Sequence, residues 1–523
     1  MGKPFHSLLF AVLPALFLYS RNAGQLPPGN LVRPLAVLAS MGVLLYLLLR
    51  RVLGSSVRAA MVTSIFSLWL FSWGHLVLLA ERAGMWGGAR RWLTEGAWLL
   101  VLAAAVWLVV RTRRDLSPAT RFLNAAAALA VAFQVVTMAP PVWRQVTRQP
   151  LKPDMRGFRL TVRPGTRLPN IYWIVLDGYG RADVLRDSFG FDNREFLAFL
   201  RRRGFYVAEA SSANYYTTLL SLPCTLNMEY LDALPRLVGR DSRDIAPVLG
   251  YTEHNRIVRL LRGAGYRIVS FYCEYTWWQM RSADRYLGAP ALSDFERLLA
   301  DATPLYALGK RERWEQRELR QQILYTLDHL ADAEDGRGPV FVFAHVLCPH
   351  PPFVFGRRGE LPLTQEGFLS ATISAGRTPD RVWRRRYAEQ VEYLNGLVER
   401  ALTRLLAKTA PDTVIIVQGD HGPPRQPTRR DHDRELLGIL NAIRLPGGEG
   451  ALRPDLSPVN TFRLVLNHIF SAGLPLLPNK YYYVFWNRPY AFVEVPAATL
   501  VPAADPVPRR EQVGVRRSRL SGP

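Results

Sequence analysis

The first 140 residues constrain the fold more than any other part of the chain, because they hold repeated apolar runs with few acidic residues. An apolar run of about 17–25 residues is long enough to cross the hydrocarbon core of a bilayer as a helix. We predict five spans, over residues 5–20, 34–49, 61–80, 96–110 and 122–139. The first is short, but no small-residue cleavage site follows it, so we interpret it as a membrane helix and not as a signal peptide.

Basic residues in the predicted loops indicate the orientation of these spans. One side carries Lys3, the arginines between positions 50 and 58 and those between 111 and 121, whereas the other side carries fewer basic residues. Short loops rich in lysine and arginine remain in the cytoplasm. With five spans, the N-terminus is therefore predicted to be inside and everything after Pro140 outside.

After the apolar region, strand patterns alternate with helical patterns. The strands are predicted over 171–176, 205–208, 266–271, 340–345 and 414–418, and the longest helical patterns cover 193–203, 255–263, 314–333 and 381–407. This alternation is typical of an α/β domain with a mostly parallel sheet flanked by helices. We divide the chain into a membrane domain at 1–140, a juxtamembrane linker on the bilayer surface at 141–169, an extracytoplasmic α/β domain at 170–498 and a disordered basic tail at 499–523.

The chain is strongly basic, with a formal net charge of +23 and a pI of about 10.3. Its arginines are scattered through loops and helices and form no aromatic-interleaved stripe, so we predict no nucleic-acid partner. A basic domain tethered beside anionic lipid headgroups is a better explanation for the charge. The three cysteines allow at most one internal disulfide and lack the spacing of a zinc site.

Three stretches carry the candidate chemistry. NIYWIVLDGYG ends a predicted strand at Asp177, TVIIVQGDHG ends another at Asp420 and His421, and NYYTTLLSLPCTLN holds Thr218 at a predicted strand-to-helix junction. Ligands of open α/β sheets bind beyond the carboxyl ends of the strands, so we expect the three stretches to converge. Each residue alone is more often a turn or helix cap. Together they have the right chemistry for one divalent cation, which would activate the weakly nucleophilic hydroxyl of Thr218.

The order of the motifs LDGYG, NYYTTLLSLPC, HVLCPHPPF and GDHGP resembles the alkaline-phosphatase superfamily. The resemblance is to its sulfatase-like branch, which includes lipoteichoic acid synthases and phosphoethanolamine transferases, and the five-span anchor is similar to that of these two groups. It implies that Asp177, Asp420 and His421 bind the metal and that Thr218 is both a ligand and the nucleophile. In the transferases a serine, a proline and a cysteine follow the nucleophile at fixed distances, and their counterparts here favour Thr218 over Thr217.

The same resemblance assigns roles to further histidines. It implies that His345 and His350, in FVFAHVLCPHPPF, face the transferred group as donors to phosphate oxygens or as proton carriers for the leaving group. A structural role for His345, as a buried histidine closing a strand, is an equal alternative. His432 resembles a substrate-side histidine of the transferases only by approximate spacing, and a solvated loop is the favoured interpretation there.

Two departures narrow the resemblance. Sulfatases convert the first residue of a C/S-x-P-S-R motif to formylglycine, whereas Cys224 is followed by Thr225 and Leu226, which argues against sulfate-ester hydrolysis. The D-x-x-x-H ligand pair of two-metal phosphatases is also missing from the sequence. We therefore expect one divalent ion, zinc or manganese, both of which suit two carboxylates, one imidazole and one hydroxyl.

The resemblance implies a multi-pass protein of the bacterial inner (plasma) membrane with an extracytoplasmic catalytic domain. We expect a metal-dependent phosphotransferase or phosphodiesterase that moves a phospholipid headgroup through a phosphothreonine-type intermediate to an envelope glycan or lipid. The alternatives are a sulfatase-like hydrolase of a phosphate or sulfate ester and a catalytically silent envelope scaffold. We further predict that Trp277 or Trp278 lines the entrance of the site, with a patch packed on the bilayer as an equal alternative.

Overall fold

A computed structural model describes most of the chain. The described residues are 3–23, 26–83, 88–147, 151–165, 167–273, 279–280, 282–288, 292–305, 314–362, 380–424, 433–485 and 487–502. The helices and strands below are numbered in chain order within these ranges.

The N-terminal region is a bundle of five helices. They are α1 (His6–Asn22), α2 (Val32–Leu53), α3 (Ser56–Arg82), α4 (Gly88–Arg111) and α5 (Ser117–Thr147), and α1 packs along α2, α3 and α5. Among the described residues, four helices are long and apolar enough to cross a membrane, one fewer than predicted. The difference is α1, whose 17 residues rise about 26 Å, slightly less than the roughly 30 Å of a hydrocarbon core.

The structure changes the predicted linker in two ways. Helix α5 continues through Pro140 and Pro141 to Thr147, so it covers the beginning of the predicted linker. Described residues of the remaining linker pack on the α/β domain: the guanidinium of Arg256 lies 4.3 Å from the ring centroid of Phe158. Apolar side chains of the linker are partly buried by this packing, and their removal from water stabilises the contact with the domain.

The α/β domain is built on a seven-stranded sheet, in the order β2-β7-β6-β1-β5-β3-β4. The strands are β1 (Ile171–Leu176), β2 (Tyr206–Val207), β3 (Arg267–Phe271), β4 (Arg285–Leu287), β5 (Val340–Val346), β6 (Val414–Gly419) and β7 (Asn441–Arg444). The five from β6 to β4 are parallel, whereas β7 and β2 are antiparallel to their neighbours. The predicted mostly parallel sheet is therefore confirmed, with an antiparallel edge that the sequence patterns did not reveal.

Helices cover both faces of this sheet. They are α6 (Ala182–Phe189), α7 (Arg194–Arg202), α8 (Thr218–Asn227), α9 (Leu234–Val238), α10 (Ala246–Glu253), α11 (Arg256–Gly263), α12 (Asp294–Asp301), α13 (Trp314–Asp328), α14 (Asp380–Lys408), α15 (Asp433–Leu437) and α16 (Pro458–Phe470). A separate hairpin, β8 (Tyr482–Phe485) and β9 (Arg488–Glu494), follows α16. The short strands and helices were missed because they lack a sustained hydrophobic period.

The main core lies around the three central strands. Every side chain of β1 and β5 is buried, as expected of strands covered on both faces by helices. Such a core allows a polar residue only where it has partners, and the first polar side chain after β1 is Asp177. The point where β1 leaves the core is therefore where a functional site is expected.

Candidate functional site

Two loops meet at the carboxyl end of β1. The strand runs parallel to β6 in a register that places Leu176 level with Gly419. Asp177 follows β1 directly, and Asp420 and His421 follow β6. All three side chains are buried. The parallel register thus brings together the polar residues that ended the two strand motifs.

Thr218 completes this cluster. Ligand atoms of Asp177, Asp420 and His421 all lie within 4.8 Å of one another. The Nε2 atom of His421 is 3.5 Å from Asp177 Oδ1 and 3.5 Å from Asp420 Oδ2. The hydroxyl oxygen of Thr218 lies 3.1 Å from the same Nε2 atom. The four residues predicted to form one site therefore surround one small volume.

Helix α8 positions the Thr218 hydroxyl. Thr217 precedes the helix in an extended conformation, and Thr218 is its first residue. The N-terminus of a helix presents unpaired backbone N–H groups and the positive end of the helix dipole, both of which favour an anion. The helix is tied to the β6 loop because Ser221 Oγ donates a hydrogen bond of 2.5 Å to the carbonyl oxygen of Asp420.

Two glycines allow the loops to approach each other. Gly178 has a positive φ of 71° and donates its N–H to Asp420 Oδ1 at 3.0 Å. At Gly422 a Cβ atom would lie 2.1 Å from the carbonyl oxygen of Glu435, so no larger residue fits this backbone. A left-handed conformation and a close backbone approach are the two situations in which glycine is required.

The donor set fits a cation. Asp177 Oδ1 and Asp420 Oδ2 are buried and have no hydrogen-bond partner within the described ranges. His421 Nδ1 donates to the carbonyl oxygen of Gly422 at 2.7 Å, which leaves Nε2 as the unprotonated nitrogen facing the carboxylates. Two unsatisfied carboxylate oxygens and one imidazole lone pair thus converge, and a divalent cation is the usual partner for such a group.

His345 lies behind this cluster. Its Nε2 atom is 3.2 Å from Asp177 Oδ2, and its Nδ1 atom is 3.4 Å from Cys273 Sγ. Burial would raise the pKa of Asp177, but the imidazoles of His350, His345 and His421 lower it to about 2. Both ring nitrogens of His345 therefore face protein groups. This placement is the one described by the structural alternative for His345, a buried histidine that closes a strand.

His350 lies beside the cluster. Its backbone N–H donates to the carbonyl oxygen of Asp177 at 3.0 Å, and its ring centroid is 6.3 Å from that of His421. Nδ1 donates to the carbonyl oxygen of Pro351 at 2.5 Å. The ring is partly exposed, but the packing around it removes enough hydration to lower the pKa of His350. A neutral imidazole with its Nδ1 atom donating has its Nε2 lone pair free to accept a proton.

A family model for sulfatases matches residues 169–455, which is more than half of the chain and includes every residue of the cluster. The chain belongs to the sulfatase family. With this membership and the donor set described above, it is a sulfatase-like, metal-dependent transferase or hydrolase. The family region follows the apolar helices, so the enzyme combines a membrane bundle with a sulfatase domain.

Solved structures similar to this sulfatase-family enzyme include one periplasmic domain and one integral membrane protein. The C-terminal periplasmic domain of EcEptC from Escherichia coli is 11% identical, with 66% of this chain and 96% of that chain covered and a TM-score of 0.41. The integral membrane protein lipooligosaccharide phosphoethanolamine transferase A (EptA) from Neisseria meningitidis is 13% identical, with 90% and 96% covered and a TM-score of 0.40. None of the curated proteins matches the sequence.

Helix α14 of the sulfatase domain holds the loop after β1. Tyr387 donates its hydroxyl to the carbonyl oxygen of Gly178 at 2.7 Å and accepts the N–H of Gly180 at 3.1 Å. Asn395, two turns further along the helix, accepts the hydroxyl of Tyr179 at 2.6 Å. These bonds fix the backbone that carries Asp177.

The same helix holds the loop that carries His350. Gln390 is fully buried; it donates to the carbonyl oxygen of Pro349 at 3.0 Å and accepts the N–H of Val354 at 2.7 Å. Sequence reasoning missed Tyr387, Gln390 and Asn395. The available signal was that these polar residues lie on the apolar face of a strongly periodic helix.

Two stacked tyrosine rings border the cluster at His421. The ring centroid of Tyr216 lies 5.9 Å from that of His421, and Tyr216 stacks on Tyr483 at 5.7 Å. The predicted entrance residues Trp277 and Trp278, and His432, lie outside the described residues. The three cysteines are free and buried.

Proposed function

We propose that this enzyme is a membrane-anchored, metal-dependent phosphotransferase that removes a phospholipid headgroup through a phosphothreonine intermediate at Thr218 and passes it to an envelope glycan or lipid. The observation that carries the proposal is the placement of the Thr218 hydroxyl, 3.1 Å from His421 Nε2 at the start of a helix. A hydroxyl so placed faces buried acceptors with unused lone pairs, which is unusual for a purely structural threonine.

The first half of the reaction forms a bond between Thr218 Oγ and phosphorus. The bond between phosphorus and the lipid oxygen breaks, and that oxygen takes up a proton. In the second half an acceptor hydroxyl attacks the same phosphorus, the bond to Thr218 breaks, and the threonine hydroxyl is restored. Two displacements at one phosphorus divide a difficult transfer into two easier steps.

Asp177, Asp420, His421 and Thr218 would hold the cation. When bound, a divalent ion lowers the pKa of the hydroxyl and neutralises charge that develops on the phosphoryl group. The N-terminus of α8 adds backbone donors on the side of Thr218, where a phosphoryl oxygen would lie. Zinc and manganese both suit this donor set, so the ion that supports turnover is part of the test.

His350 is the proton carrier in this proposal. Its lowered pKa keeps the ring neutral near pH 7, so it can accept the proton that Thr218 loses. The same proton can then pass to the departing lipid oxygen. His345 has a different role in the proposal: it orients Asp177 through Oδ2, and it does not touch the substrate.

The membrane bundle supplies the lipid. We count α1 as a span because it packs along three other helices of the bundle and its 17 residues reach the lower limit for crossing. In the proposed topology, with five spans and the basic loops inside, the sulfatase domain lies in the extracytoplasmic space. A catalytic domain tethered there meets phospholipid donors at high effective concentration.

The test uses purified full-length protein and a panel of headgroup-labelled phospholipids, with added zinc or manganese. We expect metal-dependent release of diacylglycerol and a headgroup mass on Thr218 detected by mass spectrometry. Thr218→Ala should lower turnover by roughly 10³-fold or more, the size typical of a lost nucleophile, and should carry no adduct. Thr218→Ser, which keeps a hydroxyl, should retain the adduct.

The match to the sulfatase family favours a second candidate, a hydrolase that passes the group to water. The sequence lacks the motif for formylglycine at Cys224, so a phosphate ester is the expected substrate of such a hydrolase. Release of free headgroup phosphate in the presence of glycan and lipid acceptors, with no labelled acceptor, would select the hydrolase over the transferase.

A further inference from the structure

One helix of the sulfatase domain contacts the membrane bundle. Helix α12 lies between β4 and α13, and it is tied to α13 because Arg297 pairs with Glu318 at 3.0 Å. On its other side Phe295 is almost fully buried and meets the ring of Tyr19 edge to face, with centroids 5.9 Å apart. The helix therefore belongs to one domain and packs into the other.

Two polar contacts fix this packing. Glu296 forms a two-pronged ion pair with Arg33 at the beginning of α2. The carbonyl oxygen of Ala302 accepts the N–H of Gly74 on α3 at 3.2 Å. A Cβ atom at Gly74 would lie 3.1 Å from the Cα atom of Ala302, a tight contact, so a side chain larger than that of alanine would push the two backbones apart.

The position of Gly74 gives the depth of this contact. The apolar span of α3 runs from Ser56 to Ala80, 25 residues, and rises about 37 Å, roughly 7 Å more than a hydrocarbon core. Gly74 lies about 9 Å inside the Ala80 end. If all of the extra helix length, about 7 Å, projected beyond the hydrocarbon layer at the Ala80 end, the contact with Ala302 would still lie inside that layer.

The most exposed of the described side chains in this segment are leucines. Leu292, Leu298 and Leu305 are 44%, 41% and 50% exposed, and Leu298 lies one turn along α12 from the buried Phe295, at the edge of the face that packs on the bundle. A bilayer that matches the apolar span of α3 would surround the bundle with lipid at the depth of Gly74. The exposed leucines are therefore continuous with the lipid-facing surface of the membrane helices.

We propose that residues 292–305 of the sulfatase domain enter the bilayer beside α1–α3, with the exposed leucines among the acyl chains of phospholipids. The segment holds the sulfatase domain at a fixed depth. Through it the domain contacts lipid directly and not only by way of the membrane helices. That the leaflet is the outer one rests on the proposed function; the insertion itself does not.

The test measures the surroundings of single spin labels in full-length protein, reconstituted in vesicles of equimolar phosphatidylethanolamine and phosphatidylglycerol. The native cysteines are buried, so a label added at Leu298→Cys or Leu292→Cys is the reactive one. We compare its collision rate with oxygen, which concentrates in the bilayer, and with a water-soluble nickel chelate. Leu129→Cys on the exposed face of α5 is the lipid control, and Arg194→Cys on α7 is the water control.

The expected result is an oxygen-to-nickel ratio at Leu298→Cys well above that of Arg194→Cys and below that of Leu129→Cys, which lies nearer the middle of its span. A ratio equal to the water control would overturn the proposal. Low accessibility to both reagents would overturn it as well, because it would show that protein, such as a second copy of the chain, covers the face.

A matched pair of glycine variants tests the docking contact. Gly74→Leu should lift the segment and shift the ratio at Leu298→Cys toward the water control. Gly96→Leu on α4, where a Cβ atom meets nothing within 4 Å, should leave the ratio unchanged. An unchanged ratio in Gly74→Leu, with Leu129→Cys still reporting an intact bundle, would contradict the docking.

A kinetic arm connects the insertion with the proposed function. Leu298→Glu should raise KM for phospholipid in vesicles about tenfold, because a carboxylate is costly in the interface, and should leave turnover of a short-chain, water-soluble analogue unchanged. If the native protein turned over no phospholipid, the proposed function would fail. The spin-label result would still decide whether the segment is inserted.

Discussion

Two buried carboxylates near the end of β1 have opposite surroundings. Asp183 accepts two hydrogen bonds from Arg181, at 2.6 and 3.1 Å, and the same guanidinium also donates to Ser211 and Leu500 carbonyl oxygens. Asp177 has imidazoles and the Asp420 carboxylate near it but no guanidinium among the described residues, and its Oδ1 atom has no hydrogen-bond partner there. Asp183 therefore belongs to a structural ion pair whose hydrogen bonds are made within the protein. Asp177 keeps an oxygen that a ligand could bind.

Metal removal should have the largest effect, and it should act on only one of these carboxylates. We expect a chelator to abolish turnover and to lower the midpoint of thermal unfolding. Ion at about a hundred times its Kd contributes roughly 2.7 kcal/mol to stability. Zinc or manganese should restore both. In Asp177→Asn the midpoint should no longer respond to either ion; a response equal to that of the native protein would remove Asp177 from the ligand set.

Asparagine substitutions should separate the two carboxylates in the absence of metal. Asp183→Asn leaves the buried Arg181 charge without its anion, so we expect a loss of about 3 kcal/mol in the free energy of unfolding. Asp177→Asn removes an anion whose charged form the neighbouring imidazoles stabilise, but it leaves no buried guanidinium without its anion, so we expect a smaller loss than in Asp183→Asn. Chemical denaturation in detergent with a chelator measures both. Equal losses in the two variants would contradict the comparison.

His345→Gln should weaken the binding of metal without exposing the site. We expect the Kd for zinc or manganese to rise by about 10–100-fold, the usual cost of losing a group that orients a ligand. Titration of the metal-free protein measures this directly. His345→Asn is the comparison variant. Its amide nitrogen lies nearer the position of Nδ1 than of Nε2, so it should keep less of the native metal affinity than His345→Gln does. A KM change with unaltered metal affinity would instead support contact of His345 with the substrate.

The smallest effect is expected from removing the Tyr387 hydroxyl, which holds the loop that carries Asp177. Tyr387→Phe removes the hydroxyl that bonds to Gly178 and Gly180, so we expect a loss of about 1–2 kcal/mol in stability and a modest fall in metal affinity. Tyr393→Phe, on the same helix, is the matched control and should change neither quantity. If both variants behaved alike, the hydroxyl of Tyr387 would have no special role.

The sequence predicted the central strands because they are continuous apolar runs that end in polar turns. It also predicted that Asp177, Thr218, Asp420 and His421 converge, since parallel strands end at one edge of a sheet. The depth of His345 could not be predicted, because a histidine closing a strand can face either the site or the core. The supports from Tyr387 and Gln390 were missed because their partners lie far along the chain.

Local chemistry and hydrophobic period, which the sequence carries by itself, determined the apolar helices, the α/β alternation and the identity of the four clustered residues. Tertiary structure decided how those parts meet: which oxygen of Asp177 faces His345, how α14 holds two loops, and where α12 enters the bundle. The physical reason is the distance along the chain over which each kind of interaction acts. Periodicity and turn propensity act over a few residues, whereas the contact between Gly74 and Ala302 depends on packing between distant helices.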